Sequence, residues 1–459
     1  MNETKKDLPS PPKLWQSLGP SFILLGLALG SGELIMWPYL TASWGFGLMW
    51  GALLGITFQF FLNTEVMRYA LVWGESVFMG FKRLYKWAPV WFIISTFIPW
   101  GLPGFSSATA QILTRTLGFG NQTVLSIILL LLVGFILTGG RVLYKTMEYL
   151  QKTVIIVGLP IILGLVVWFS RGEYWAELMV GFIGKGNNWW FFPGGVSLAS
   201  FLGAFAYSGA GGNLNLAQSY YIKEKGFGMG RFTGKITSLF SPGKKEIRLE
   251  GQTFQINEAN LSRWRQWWRM VNQEHFLVFW GLGLLSIVLL SFLSRALLLG
   301  QANKEGIEFL FQETTLIGQQ LSPVMSVVFI SVAGLMLFST QLGVLESASR
   351  IISENFLLIV HKPNQFINAS LAFYVALWGQ IALGIIILLF GFKEPRFLLT
   401  LSALLNAGAM MVAFPAIYLL NRRLLAKELQ PSIWRVFVLS AAFLFFLVFV
   451  LYLALWPNQ

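Results

Sequence analysis

Carboxylates are scarce in the apolar stretches of this chain, and the few present carry most of its chemical potential. Asp7 is the single aspartate, and only Glu33, Glu65, Glu148 and Glu346 among the glutamates fall in or beside apolar segments. An ionisable side chain held in hydrocarbon is costly, so each one is a functional candidate by default. Glu33 is the strongest. It closes Gly30-Ser31-Gly32-Glu33, midway along a long apolar run. Two glycines and a serine weaken the helical ladder there, which would expose backbone carbonyls beside a carboxylate. That arrangement suits a cation in a discontinuous membrane helix. The competing reading is a glutamate paired to a neighbouring helix for packing.

A second weak point is Tyr207-Ser208-Gly209-Ala210-Gly211-Gly212-Asn213, followed by Leu214 and Asn215. Close helix packing through small residues would explain the glycines equally. Interrupted helices at corresponding places in two halves of a chain instead point to a central substrate site. Ser339-Thr340-Gln341 either line a polar path or bond neighbouring backbone. Pro99-Trp100-Gly101-Leu102-Pro103-Gly104 must kink or break its helix. Glu65 and Arg68 are three apart, and Glu346 and Arg350 four apart, so each pair shares a helix face. They read as salt bridges closing one side, or as a proton route or gate.

The elements that must position these residues are membrane helices. Hydrophobic residues make up 55% of the 459, charged residues only 12%, and mean hydropathy is +0.65. About 20 apolar residues cross a bilayer. Eleven such segments are legible, near 18–43, 48–73, 88–113, 123–140, 153–170, 195–222, 275–299, 323–345, 367–391, 397–420 and 433–455. They are apolar all round, as in Ile127 to Val133, which excludes the alternation of a barrel strand. With the N-terminus inside, 25 of the 33 Lys and Arg fall in inner segments and seven in outer loops. That bias predicts an amino terminus in the cytoplasm and a carboxyl terminus outside. No cleavable signal peptide is evident, and a bacterial inner membrane is the expected location.

The expected organisation is a cytoplasmic tail over 1–13 and a transmembrane domain over 14–455. Within it, residues 14–170 and 195–420 form two five-helix repeats, and 433–455 is an extra helix. The basic loop 223–275 is the one sizeable soluble piece. Its Gly226–Gly234 stretch reads as irregular, and Arg263-Trp264-Arg265-Gln266-Trp267-Trp268-Arg269 as a short interfacial helix. Nucleic acid is not an expected partner, because this basic stretch abuts a membrane helix. Cysteine is absent, so there is neither disulfide nor thiolate metal site. Neither a serine–histidine pair nor a histidine–carboxylate cluster is visible within the apolar segments, which argues against an enzyme. His275 and His361 are expected near the inner surface. No ATP-binding motif or cofactor signature appears.

The chain resembles the Nramp family of divalent-metal transporters, which share the LeuT-like inverted-repeat fold. The resemblance rests on Gly19-Pro20, on Gly45-Phe46-Gly47-Leu48-Met49-Trp50, on Arg68, and on Gly203-Ala204 with Asn213-Leu214. It implies an all-α membrane protein with a five-plus-five inverted repeat and a transported divalent cation. The family's Asp-Pro-Gly-Asn motif falls on Gly30, Ser31, Gly32 and Glu33. Its Met-Pro-His motif falls on Ala210, Gly211 and Gly212, or on Tyr207, Ser208 and Gly209. The soft sulfur and imidazole ligands are thus missing, while Glu33 supplies a carboxylate. An all-oxygen site built on Glu33 suits a hard cation such as magnesium better than iron or manganese. A small organic solute, carried on the same fold with a proton or sodium gradient, is the alternative.

Overall fold

The computed structural model describes residues 6–139, 143–233, 249–299, 307–360 and 369–455. Among the described residues the regular elements are helices, joined by turns and loops, with one isolated bridge between Lys185 and Trp190. The first half holds α1 (Leu14–Ser17), α2 (Pro20–Ala28), α3 (Trp37–Trp44), α4 (Met49–Trp73) and α5 (Val77–Leu84). It continues with α6 (Ala88–Trp100), α7 (Gly104–Leu117), α8 (Gln122–Gly139), α9 (Leu143–Phe169) and α10 (Gly172–Gly181). The second holds α11 (Leu198–Ala206), α12 (Gln218–Lys225), α13 (Glu258–His275), α14 (Gly283–Leu298) and α15 (Glu308–Gln320). Last come α16 (Pro323–Val360), α17 (Ala369–Leu389), α18 (Pro395–Leu424) and α19 (Ile433–Leu455).

Nine helical runs among the described residues are long and apolar enough to cross a bilayer. Two features reconcile that number with eleven segments. Segments one and two count as one run, since helical turns continue through Gly45–Leu48 into α4. Segment six contributes none, because it is cut into the short helices α11 and α12. Segment three is also cut, ending at Trp100 and resuming at Gly104. Segment eight runs well past its expected end, to Val360.

The basic loop differs from its expected form. Gly228–Phe232 makes a short 3-10 turn rather than irregular chain. The tryptophan–arginine stretch lies in an 18-residue helix, α13, that passes through π-helical Phe276–Leu282 into α14. Its Trp264 and Trp267 are buried, and Trp267 Nε1 donates to Pro9 O at 2.6 Å. The Asn257 side chain caps it by accepting from Asn260 N at 2.8 Å. The helix is therefore packed against the bundle by its aromatic face, not laid loosely on a surface. Residues 234–248, Arg141, Lys304, His361 and Lys362 lie outside the described residues.

Lipid is the natural solvent of the exterior. Helix α19 exposes Phe437, Leu444, Val448 and Leu451, and α8 exposes Phe135. The chain is an integral membrane protein. Besides the stacking of Phe445 on Phe205 with centroids 4.2 Å apart, a polar cluster fastens the outlying α19: Arg435 Nη1 donates to Glu65 Oε1 at 2.9 Å and to Thr64 Oγ1 at 2.8 Å. Glu65 also holds Arg68 at 2.7 Å and accepts from Asn421 at 3.0 Å. A buried charge left without its partner is expensive, on the order of 3–5 kcal/mol. Arg435→Ala should therefore destabilise the protein by about 3 kcal/mol, read as a lower unfolding temperature in detergent. An unchanged temperature would mean that Arg68 alone satisfies Glu65.

On α15, burial pushes the Glu313 carboxyl from 4.5 up to about 8. Between those values the folded chain holds a proton that the unfolded chain has lost, so stability falls as pH rises through that window. Glu313→Gln should flatten the slope, as thermal unfolding at a series of pH values will show.

Candidate functional site

The segment-one weak point is widened, not opened. Leu29–Met36 is π-helical and joins α2 to α3 without a gap, which corrects the expectation of a freed ladder there. π-helical turns gather at functional sites because each one re-aims its side chains. Gly30 N donates to Thr340 Oγ1 at 2.9 Å, and that hydroxyl donates to Gly26 O at 3.0 Å. One threonine thus satisfies both backbone groups. Only the backbone of Ser31 is described.

Glu33 is fully buried. Ser286 donates its hydroxyl to Glu33 Oε2, while Oε1 has no partner. The carboxylate faces α14: a Cβ on Gly283 would stand 3.7 Å from Oε1.

Segment six is interrupted between Ala206 and Gly212. Gly211 and Gly212 take φ of 75° and 51°, a left-handed backbone that glycine adopts at least cost. Gln59 on α4 services the cut ends: its Nε2 donates to Ala206 O at 3.1 Å, and its Oε1 accepts from Gly211 N at 3.1 Å. Asn215 Nδ2 also reaches Gln59 Oε1, at 3.1 Å. Trp37 Nε1 donates to Ser208 Oγ at 3.0 Å. Ala210 is buried, and Gly209 abuts Gln59 and Phe279.

The two weak points touch. A Cβ on Gly32 would fall 1.7 Å from Tyr207 O, so only glycine permits this approach. Beyond it, Tyr207 OH lies 2.6 Å from Ser402 Oγ and accepts from Asn406 Nδ2 at 3.1 Å. Its ring stacks on Trp100 with centroids 5.5 Å apart. Asn213 Nδ2 donates to Ser95 Oγ at 2.8 Å and Thr96 Oγ1 at 3.0 Å. The side-chain oxygens of Asn213, Asn215 and Asn406 are buried without donors. Gln341 stands apart, accepting from Ser106 N at 3.1 Å.

Both charged pairs form and are buried, but in wider clusters than their spacing suggests. Arg350 binds Glu346 and also Glu224, and Tyr221 OH donates to Glu346 at 3.0 Å. Glu148 pairs with Lys152 at 2.6 Å and Lys225 at 2.8 Å. These clusters join α4, α9, α12, α16 and α19 on the face assigned to the cytoplasm. On the opposite face lies a cavity of about 600 Å³ bordered by Gln111, Ser200, Glu308, Arg396 and Thr400. A smaller one, about 20 Å³, lies against Ile35, Met36 and Tyr39 and shares Ser200, Arg396 and Thr400. The Arg396 guanidinium sits 4.0 Å from the Tyr39 ring centroid.

Gln59, Ser286, Ser402 and Asn406 are absent from the sequence-derived site. Each is a lone polar residue in an apolar run, and that was the available signal. A serine–histidine contact also forms, contrary to expectation: Ser21 Oγ lies 2.7 Å from His275 Nδ1. Its order is wrong for nucleophilic catalysis, since the serine stands between His275 and Glu274. His275 is fully buried. Among the described residues, no three His, Asp or Glu side chains gather as a metal site.

No family profile and no curated protein matches the chain in sequence. Solved structures do match in fold. A mutant of the Eremococcus coleocola manganese transporter aligns over 98% of this chain and 88% of its own, at 13% identity and TM-score 0.69. Mhp1, a nucleobase–cation symport-1 family transporter with bromovinylhydantoin bound, aligns over 99% and 96%, at 14% and 0.57. MhsT in complex with L-phenylalanine aligns over 95% and 97%, at 12% and 0.52. The fold is therefore LeuT-like.

Gly32→Ala should push Tyr207 off segment one and destabilise the protein by about 3 kcal/mol. A wild-type unfolding temperature for that variant would show that the two weak points do not touch.

Proposed function

We propose that the protein is a secondary transporter that moves a small cationic solute by alternating access. The observation that carries this reading is the contact of Gly32 with Tyr207, which brings the widened turn of segment one and the break of segment six to one level of a LeuT-like bundle. Segments one and six then open the two repeats, 14–170 and 195–420. The cavity on one face and the buried clusters of Glu65–Arg68 and Glu346–Arg350 on the other suit a state closed toward the cytoplasm. Orientation follows the Lys and Arg bias, with the amino terminus inside, the carboxyl terminus outside, and a bacterial inner membrane as host.

The solute is a divalent cation, hard rather than soft. Glu33 Oε1 and the amide oxygens of Asn213, Asn215 and Asn406 are buried acceptors without donors. Oxygen acceptors with neither thiolate nor imidazole suit magnesium better than iron or manganese. Gly30, Gly32 and Tyr207 through Gly212 would set the backbone of that site. A second reading has its own support. Glu33 faces Ser286 rather than the segment-six amides, which separates the carboxylate from those oxygens. An organic solute bearing an amine, driven by a proton or sodium gradient, fits that separation.

Isothermal titration of the purified protein with Mg, Mn and Ca separates the two. Saturable Mg binding that weakens at least tenfold in Glu33→Gln is the expected result. No heat from any of the three metals, with both proteins folded, would transfer the proposal to the organic solute.

A further inference from the structure

The seam between segments one and seven holds a titratable cluster that the solute site does not use. Glu274 lies in the last turn of α13 and is buried. Its Oε1 accepts Gly19 N at 3.3 Å and Ser21 N at 3.2 Å, and its Oε2 accepts the Ser21 hydroxyl. A hydroxyl has one proton to give. Having given it to Glu274, Ser21 Oγ must accept from His275 Nδ1, 2.7 Å away. While Glu274 is ionised, His275 is thus the neutral Nδ1–H form, with a bare Nε2.

That Nε2 is buried and has no partner. The imidazole lies between Phe60 and Phe279, with centroids at 5.4 and 4.6 Å. Phe279 in turn abuts Gly209 of the segment-six interruption: a Cβ on Gly209 would lie 2.7 Å from the ring. From the other packed helices, the ionisable groups bearing on Glu274 are Lys225 and Tyr144. Lys225 is already bonded to Glu148 at 2.8 Å.

We propose that His275, Ser21 and Glu274 form a one-proton relay site, distinct from the solute site. The step balances without any further reactant. A proton binds the bare Nε2. His275 passes its Nδ1 proton to Ser21 Oγ, and Ser21 passes its own to Glu274 Oε2. The products are a neutral carboxylic acid and a neutral histidine now protonated on Nε2, with every hydrogen bond in the chain reversed.

The site can act on segment one because of where it sits. Glu274 caps the amino end of α2, where a negative charge is favoured by the helix dipole. Protonation removes that charge. The pairs Ser21–Glu274 and Glu33–Ser286 share a sequence offset of 253. Segments one and seven therefore run parallel, clamped at two levels about 18 Å apart. Discharging the lower clamp loosens one end of the element that carries Glu33. The link to solute movement rests on the transporter reading; the proton site does not.

The histidine tautomer tests it. His361→Gln leaves His275 as the chain's only histidine, so ¹⁵N-histidine labelling of the full-length protein in lipid nanodiscs reports on one ring. Nδ1–H is expected near pH 8.5 and Nε2–H near pH 5.5, across the range in which histidine switches operate. In Glu274→Gln, which keeps the shape but cannot take the proton, one tautomer should persist throughout. A single tautomer at both pH values in the His361→Gln chain, or a switch that survives Glu274→Gln, would overturn the site. The readout needs no solute, so failure of Mg binding would leave it standing.

Discussion

In hydrocarbon no water satisfies a freed backbone group, so every interruption of a helix must find its partners in another helix. That constraint organises this bundle. The cut in segment six is serviced by Gln59, which bonds both the last carbonyl of α11 and the amide of Gly211. The widened turn in segment one is serviced by Thr340. Each interruption therefore ties two or three helices together, and the helices so tied are the ones that carry the polar centre. The polar centre and the cohesion of the core have the same origin.

Charge follows the same logic. A buried carboxylate needs donors on every side, and here each is held by groups from distant parts of the chain. Glu65 draws in Arg68, Asn421 and Arg435. Arg350 draws in Glu346 and Glu224. Glu274 draws in the amino end of α2. These clusters gather on one face, which leaves the other face free to hold an open cavity. Glu33 is less well served, with a single hydroxyl donor and one bare oxygen, and Glu313 on α15 likewise keeps a bare Oε1.

Much of the architecture was legible because hydrocarbon imposes a simple code. Runs of about 20 apolar residues, counted against Lys and Arg in the loops, mark the segments and their order. Glycine clusters marked both weak points, and the spacings of Glu65 with Arg68 and Glu346 with Arg350 marked their ion pairs. The form of the first weak point was not legible. Gly30-Ser31-Gly32 permits either an unwound turn or a π-helical one, and the Thr340 hydroxyl decides between them. Nor was the length of α13, since Trp264 and Trp267 look interfacial until the bundle offers them a packing surface.

By itself the sequence determined an all-helical membrane chain, its segments and the positions of its interruptions. All of these depend on local composition, which acts over one or two helical turns. Only the tertiary structure decided which lone polar residues meet. Ser402 and Asn406 reach Tyr207, Ser286 reaches Glu33, and Ser21 stands between His275 and Glu274. Their separations in the chain run to hundreds of residues, and no local pattern records them. Helix packing alone sets which faces touch, so the chemistry of the site belongs to the fold.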